Sequence, residues 1–171
     1  MYLARMISQA KWERKEWMDE GEISADAVTA DLRTQNNSLS FWKCAKKTHK
    51  EIENVALAIA AGRDKIDKVE IVLIDNEDLK TDGQNIETSN GRTPVESLVK
   101  RHVDLMQLDY TRLGKVARRV ASAVAANQCH RVSKQRVQTL LVTAITRDET
   151  LQIDRLNENL RPQVQKLLNR Y

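Results

Sequence analysis

The stretch 93–126 constrains the fold most strongly, because its apolar residues recur at the spacing of one helical stripe. It opens with Thr93, Pro94 and, three residues after the threonine, Glu96, an arrangement typical of a capped helix start. Steps of four and three residues then join Val99, Val103, Met106, Tyr110, Leu113, Ala117, Val120 and Val124. We therefore predict one amphipathic helix over 93–126, about 50 Å long at roughly 1.5 Å per residue, whose stripe is buried by the rest of the molecule.

The residues before this stretch predict a small sheet with one helix. Alternating or β-branched runs indicate strands at 2–12, 28–33, 39–44 and 68–74. Asparagines in the 35–38 segment favour a hairpin turn between the second and third strands. Thr48 and Glu51 form a second capping box, which begins a helix that ends at Gly62. The expected order is β-β-β-α-β, and the small sheet should be mostly antiparallel.

The residues after the long helix predict further helices. The 127–132 segment has the length of a connection between antiparallel helices, and Ser133 can cap the helix that follows. Thr150 can cap a last helical region, which Pro162 should break or kink. We therefore expect an α+β fold with two domains: a sheet domain over 1–92 and a helical domain with a basic face over 93–171.

Charge is divided unequally along the 171 residues. Residues 1–93 carry 14 Lys and Arg against 17 Asp and Glu, whereas residues 94–171 carry 14 against 7. The second part is therefore basic by seven charges, which favours an acidic partner: nucleic acid, another protein, or the acidic half of a second copy.

The basic residues of the second part suggest a binding surface on two helices and the turn between them. A helix pair with basic residues at its turn can seat on the backbone of duplex nucleic acid. The alternative is an ordinary solvated face, which the lack of interleaved aromatic residues favours. The candidate residues for nucleic-acid or acidic-partner binding are Arg112, Lys115, Arg118, Arg119, Arg131, Lys134 and Arg136.

Two consecutive aromatic residues suggest a protein interface. Phe41 and Trp42 lie in a predicted strand, so their side chains must point to opposite faces of the sheet. One of them is buried by the first layer, and the other needs a second layer, a pocket or a partner.

Enzyme chemistry has weaker support. Asp75 and the triplet from Asp78 to Lys80 follow the 68–74 strand and resemble the acids of some nucleases, but such triplets arise easily in a chain with 30% charged residues. The three histidines lack metal-ligand spacing, and glycine-rich phosphate loops are absent from the sequence. We therefore expect no cofactor, no metal and no catalytic residues, and we expect Cys44 and Cys129 to be reduced and packed.

These observations rank three functions. The first is a non-enzymatic interaction or accessory subunit that docks on a larger assembly, an assembly acting on nucleic acid being one option. The second is direct binding of DNA or RNA through the basic helical face, and the third is a small nuclease-like enzyme. No apolar run reaches the length of a membrane span, and the first five residues have no signal-peptide pattern, so we expect a cytoplasmic protein. A homo-oligomer is compatible with the sequence.

Overall fold

The computed structural model describes residues 1–170 and contains one six-stranded sheet in which every pairing is antiparallel. The strands follow the order β4-β5-β2-β1-β3-β6. Their bounds are Tyr2–Met6 (β1), Leu39–Cys44 (β2), Val69–Asp75 (β3), Asn85–Thr88 (β4), His102–Met106 (β5) and Cys129–Val132 (β6). The α+β class expected from the sequence is confirmed.

Helices connect the strands and cover both faces of the sheet. Their bounds are Gln9–Trp12 (α1), Ala25–Asp31 (α2), His49–Ala61 (α3), Asn76–Thr81 (α4), Glu96–Val99 (α5), Tyr110–Ala125 (α6), Lys134–Thr146 (α7) and Arg161–Leu168 (α8), with a 3-10 turn at Ile153–Arg155. Over residues 1–170, none of these helices combines the length and the apolar character that a membrane crossing requires.

Each face of the sheet has its own hydrophobic core. Leu3 and Ala4 are adjacent in β1 and fully buried, and each contributes to a different core because successive strand residues point to opposite faces. One core packs α3, α5, α7 and α8 on the face that carries Ala4. The other packs α1, α2, α4 and α6 on the face that carries Leu3. The sheet is therefore the middle layer of three.

The prediction of one helix over 93–126 is wrong. This stretch contains the short helix α5, the strand β5 and the helix α6. Within β5, Val103 and Leu105 are buried on one face with a period of two, whereas the supposed stripe residues Val103 and Met106 point to opposite faces of the sheet. Tyr110, which the stripe was expected to bury, is 94% exposed.

Two residues between β5 and α6 explain the interruption. Gln107 adopts a φ of 56°, which no residue inside a right-handed helix has. Asp109 then caps α6, since its carboxylate accepts a hydrogen bond of 2.7 Å from the backbone nitrogen of Arg112. Thr93 instead accepts a bond of 3.4 Å from the nitrogen of Val95 and caps no helix. The true helix start therefore lies 17 residues after the predicted one, at Tyr110 rather than Thr93.

The predicted strand at 28–33 is also wrong, and with it the order β-β-β-α-β. This segment belongs largely to α2, whose buried Ala27 packs with Leu32 in the core below α6. The turn expected at 35–38 does form: Asn36 and Asn37 have φ angles of 52° and 56°. The turn leads from α2 into β2. The prediction of the turn itself was therefore correct, and the prediction of a strand before it was wrong.

Several other elements agree with the sequence patterns. Thr48 caps α3 and Ser133 caps α7, and β3 is an interior strand between β1 and β6. The 127–132 connection, however, contains the edge strand β6. Pro162 lies in the first turn of α8, where it starts a helix and does not kink one.

The sheet includes strands from both predicted domains. β5 lies between β4 and β2, so a strand that follows residue 92 pairs with two strands that precede it. The division into 1–92 and 93–171 stays a prediction, and the two segments share one sheet.

Candidate functional site

The seven basic residues predicted to bind one partner lie on opposite sides of the sheet. Arg112, Lys115, Arg118 and Arg119 belong to α6, which packs on the face that carries Leu3. Lys134 and Arg136 belong to the first turn of α7, which packs on the other face. Arg131 of β6 points to the Leu3 face, because its neighbour Val132 belongs to the α7 core and Cys129, two residues away, packs on the α6 core. The structure therefore does not bring the seven together, because β6 and its connection cross from one face to the other.

Three of the four α6 cations, which we call the α6 group, form hydrogen bonds with other groups of the same chain. Arg119 forms two hydrogen bonds with the carboxylate of Asp82, at 2.7 and 2.9 Å, and Lys115 donates to the backbone oxygen of Asp82 at 3.0 Å. The bonds from Arg119 lower the pKa of Asp82 and raise the pKa of Arg119. Arg112 donates to the backbone oxygen of Gln107 at 2.9 Å. The side chain of Arg118, which is exposed, has no such partner within residues 1–170.

The two α7 cations, Lys134 and Arg136, lie near α3 and the loop that follows it. Arg136 forms two hydrogen bonds with Glu53, at 2.6 and 2.8 Å, and His49 contacts the same carboxylate at 2.8 Å. Hydrogen bonding by Arg136 is the main cause that lowers the pKa of Glu53. This ion pair joins the first turns of α3 and α7, which sequence reasoning had treated as separate.

Further cations extend this group into a continuous surface. Asp67 lies close enough to Arg63, Lys65 and Lys134 for each to lower its pKa, after the stronger effect of a backbone hydrogen bond. At the other end, Lys47 lies close to His130 of β6 and lowers its pKa, burial being the larger cause. We define the basic band as Lys46, Lys47, Lys50, Arg63, Lys65, Lys134 and Arg136; all but Arg63 are exposed.

Most lysines of the band have no acidic partner. Within the described residues, Lys46, Lys47, Lys50, Lys65 and Lys134 form no ion pair of 4.0 Å or less, whereas Arg136 pairs with Glu53. The two helices add positive potential, since the N-terminal ends of α3 and α7 both lie in the band. Like charges concentrated at helix N-termini cost folding free energy, so the band is unfavourable for the isolated chain.

The two aromatic residues proposed as an interface point to opposite faces, as predicted. Phe41 is fully buried in the core beneath α6, with the guanidinium of Arg5 5.6 Å from its ring centre. Trp42 is partly buried against the other core, where its ring meets the ring of His102 edge-on at 5.0 Å. Phe41 therefore has no surface to offer a partner, and Trp42 offers part of one.

The residues of the nuclease hypothesis form separate contacts. Asp75 caps α4 by accepting a hydrogen bond of 3.0 Å from the nitrogen of Glu77, and Lys80 pairs with Glu77 at 2.8 Å. Asp78 lies 3.5 Å from Arg119. Over residues 1–170, no group of three or more His, Cys, Asp and Glu is placed to hold a metal ion. This geometry gives the nuclease hypothesis no support.

Both cysteines are free thiols. Cys44 is buried and Cys129 partly buried, and burial is the main cause that raises both pKa values, that of Cys129 to about 11. Neither is poised as a nucleophile, because the reactive species is the thiolate.

The sequence patterns did not reveal one polar cluster that the structure contains. Ser89 Oγ lies 2.7 Å from His102 Nδ1 and 2.6 Å from Asp104 Oδ2, and Ser40 Oγ donates to Asp104 Oδ1 at 2.9 Å. His102 and Asp104 are two residues apart, and a strand places such residues on one face. That signal was present in the sequence, but the helical interpretation of this segment hid it.

Comparisons with family models, with curated proteins and with solved structures found no match to this chain.

Proposed function

We propose that this protein binds the phosphate backbone of nucleic acid through the basic band. The proposal is supported chiefly by one observation: cations before and after α3 and in the first turn of α7 lie on the side of the sheet that these helices cover, and most form no ion pair of 4.0 Å or less in residues 1–170. Such an arrangement is costly in the free chain and becomes favourable when phosphates replace the absent acids.

Asp67 lies close to Arg63, Lys65 and Lys134, but the two acids near the start of α3 are turned away from its lysines. Glu53 is buried and already engaged by Arg136, and Glu51 is engaged by Arg101 through bonds of 3.0 and 3.1 Å. The lysines at the start of α3 therefore face solvent while the acids of the same turn face the protein. Backbone binding of this kind carries little sequence specificity, because phosphates present the same charge at every step.

The α6 group does not belong to the proposed surface. Arg119 and Lys115 are bound to Asp82, and α6 covers the opposite face of the sheet. This revises the surface expected from the sequence, which joined both groups.

The test measures binding of a short fluorescent duplex by anisotropy at low and moderate salt. The band variant carries Lys47→Glu, Lys50→Glu and Lys134→Glu, and we expect it to lose roughly 100-fold or more in affinity at low salt. The matched control carries Lys11→Glu, Arg33→Glu and Arg118→Glu, three exposed cations on elements of the opposite face. Equal losses in both variants, or no binding by the unaltered protein at low salt, would overturn the proposal.

An accessory subunit is the second candidate, and the exposure of Trp17 favours it. The side chain of Trp17 is 77% exposed in the connection between α1 and α2, where water contact with a large aromatic surface is unfavourable. A partner assembly that covers Trp17 in the cytoplasm, the location expected from the sequence, would remove that cost. Affinity purification from the native host tests this candidate: a partner lost on Trp17→Ser supports it, and elution as an unaccompanied chain contradicts it.

A further inference from the structure

A cleft of about 640 Å³ opens on the α3 face of the sheet, where β1, β2 and β5 extend beyond the helix. Its floor includes Trp42, His102 and Asp104, and its rim includes Asn90 and Arg92. The volume lies within the range of small-molecule sites. None of the residues of the basic band lines it.

The hydrogen bonds at the floor fix the protonation pattern of His102. Ser89 has one hydroxyl proton, and the ionised carboxylate of Asp104 can only accept it. Ser89 Oγ is then free to accept from His102 Nδ1, which places the ring proton on Nδ1 and leaves a lone pair on Nε2. Burial lowers the pKa of His102, against an opposing effect of Asp104, so the neutral ring dominates at pH 7. Nε2 makes no hydrogen bond to any residue from 1 to 170.

The wall beside His102 is aromatic and rigidly placed. Trp42 packs between the His102 ring and the core under α3, and Gly91 crosses its ring so closely that a Cβ atom there would lie 2.4 Å from Trp42. The rim adds a different chemistry. Asn90 offers an amide that donates and accepts, and the exposed Arg92 forms no ion pair with the described residues.

We propose that this cleft binds a nucleoside monophosphate. A ligand that satisfies Trp42, His102 and Arg92 together carries a flat apolar ring, a hydroxyl or N–H donor for His102 Nε2, and one anionic group for Arg92. A nucleoside monophosphate has all three in one small molecule. The site is independent of the basic band and takes a single nucleotide whether or not the band binds a backbone.

The first test follows the side-chain nitrogen resonances of His102 and Trp42 while AMP, GMP, CMP and UMP are added. We expect saturable shifts of both with at least one nucleotide, and roughly tenfold weaker binding of the corresponding nucleoside, which lacks the phosphate for Arg92. The absence of saturable shifts with all four nucleotides would overturn the proposal. Equal binding of ribose 5-phosphate would also overturn it, because that result describes an anion site without a ring pocket.

Two variants locate the bound groups. Arg92→Gln changes an exposed side chain and should weaken the nucleotide roughly tenfold while leaving the nucleoside unchanged. His102→Phe removes the acceptor nitrogen and should weaken both ligands, with thermal unfolding measured to establish that the variant folds. The Lys47, Lys50 and Lys134 variant serves as the control and should bind the nucleotide normally. A loss confined to that control would assign the nucleotide to the band and contradict the cleft.

Discussion

Arg136 of α7 binds both carboxylate oxygens of Glu53 on α3, at 2.6 and 2.8 Å, and the Glu53 side chain is 10% exposed. This pair connects two helices that are 83 residues apart in the chain. It also holds together the two parts of the basic band, since the lysines of α3 and Lys134 flank it in sequence. The position of the band therefore depends on one internal acid.

Removal of Arg136 should destabilise the protein. Arg136→Ala leaves the buried carboxylate with His49 as its remaining close side-chain contact, and we expect a loss of about 1 kcal/mol in unfolding free energy, because the arginine itself is 46% exposed and screened by water. Urea unfolding at pH 7 measures the change. Glu53→Gln with Arg136→Ala should recover part of the loss, and a double variant as unstable as the sum of the two single variants would contradict the coupling.

The same pair predicts a pH dependence. The folded state lowers the pKa of Glu53 below its unfolded value of about 4.3. The stabilisation is therefore complete above that unfolded value and is lost as pH falls through the lower, folded pKa. Unfolding midpoints measured from neutral to acid pH should fall less steeply in Glu53→Gln than in the unaltered protein. An equally steep decrease of the unfolding midpoint at acid pH in both proteins would contradict a lowered pKa of Glu53 in the folded state.

Two glycines should respond to alanine with opposite signs. In Gly91→Ala the new methyl group meets the Trp42 ring at 2.4 Å and the His102 Cβ at 3.0 Å, so we expect a loss of about 1–3 kcal/mol. Gly114 lies in α6 with open space at its Cβ position, and Gly114→Ala should stabilise by roughly 0.5–1 kcal/mol. Thermal unfolding of both variants gives the comparison. A neutral Gly91→Ala would contradict the close packing over the cleft.

The start of α6 can be tested at its cap. Asp109→Ala removes the acceptor for the Arg112 nitrogen and should cost about 1 kcal/mol. Asp148, which is exposed and caps no helix, provides the control variant Asp148→Ala. Backbone chemical shifts should show strand values over His102–Met106 and helical values from Tyr110 in the unaltered protein. Helical values through 102–106 would restore the single long helix.

His102 should contribute a pH dependence in a different range. Because burial lowers its folded pKa below the unfolded value of about 6.5, the unfolded chain binds more protons. Stability is therefore greatest above the unfolded pKa and declines as pH falls below it. We expect a smaller decline between neutral pH and about pH 5.5 in His102→Gln, measured by thermal unfolding.

Local signals were predictable where a cap, a turn residue or a strongly β-branched run fixed the element. Thr48, Ser133 and the asparagines of the 35–38 turn behave as their chemistry requires. The prediction for 93–126 was wrong because apolar residues from a short helix, a strand and a second helix happen to fall at helical spacing. The alternation of Val103 and Leu105, the positive φ of Gln107 and the cap at Asp109 distinguish the strand and the later helix start.

The candidate site depended on tertiary contacts and was predictable only in part. Lys134 and Arg136 were identified from charge alone, but Arg136 contacts Glu53 of α3, which lies 83 residues earlier in the chain. Arg131 was also identified from charge, and its position in β6 turns it to the opposite face of the sheet. Arg119 was also selected from charge patterning, but its two hydrogen bonds to Asp82 exclude it from the proposed binding surface. Charge composition shows how many cations a segment has. Only the fold shows which of those cations are paired with acids.

The most direct measurement is the salt dependence of duplex affinity for the unaltered protein, for the Lys47, Lys50 and Lys134 variant, and for the matched variant at Lys11, Arg33 and Arg118. Each phosphate neutralised contributes about −0.9 to the slope of log affinity against log salt concentration. The account predicts that the slope loses roughly three such contributions in the band variant and none in the matched variant. The same slope in all three proteins would contradict the basic band as the binding surface.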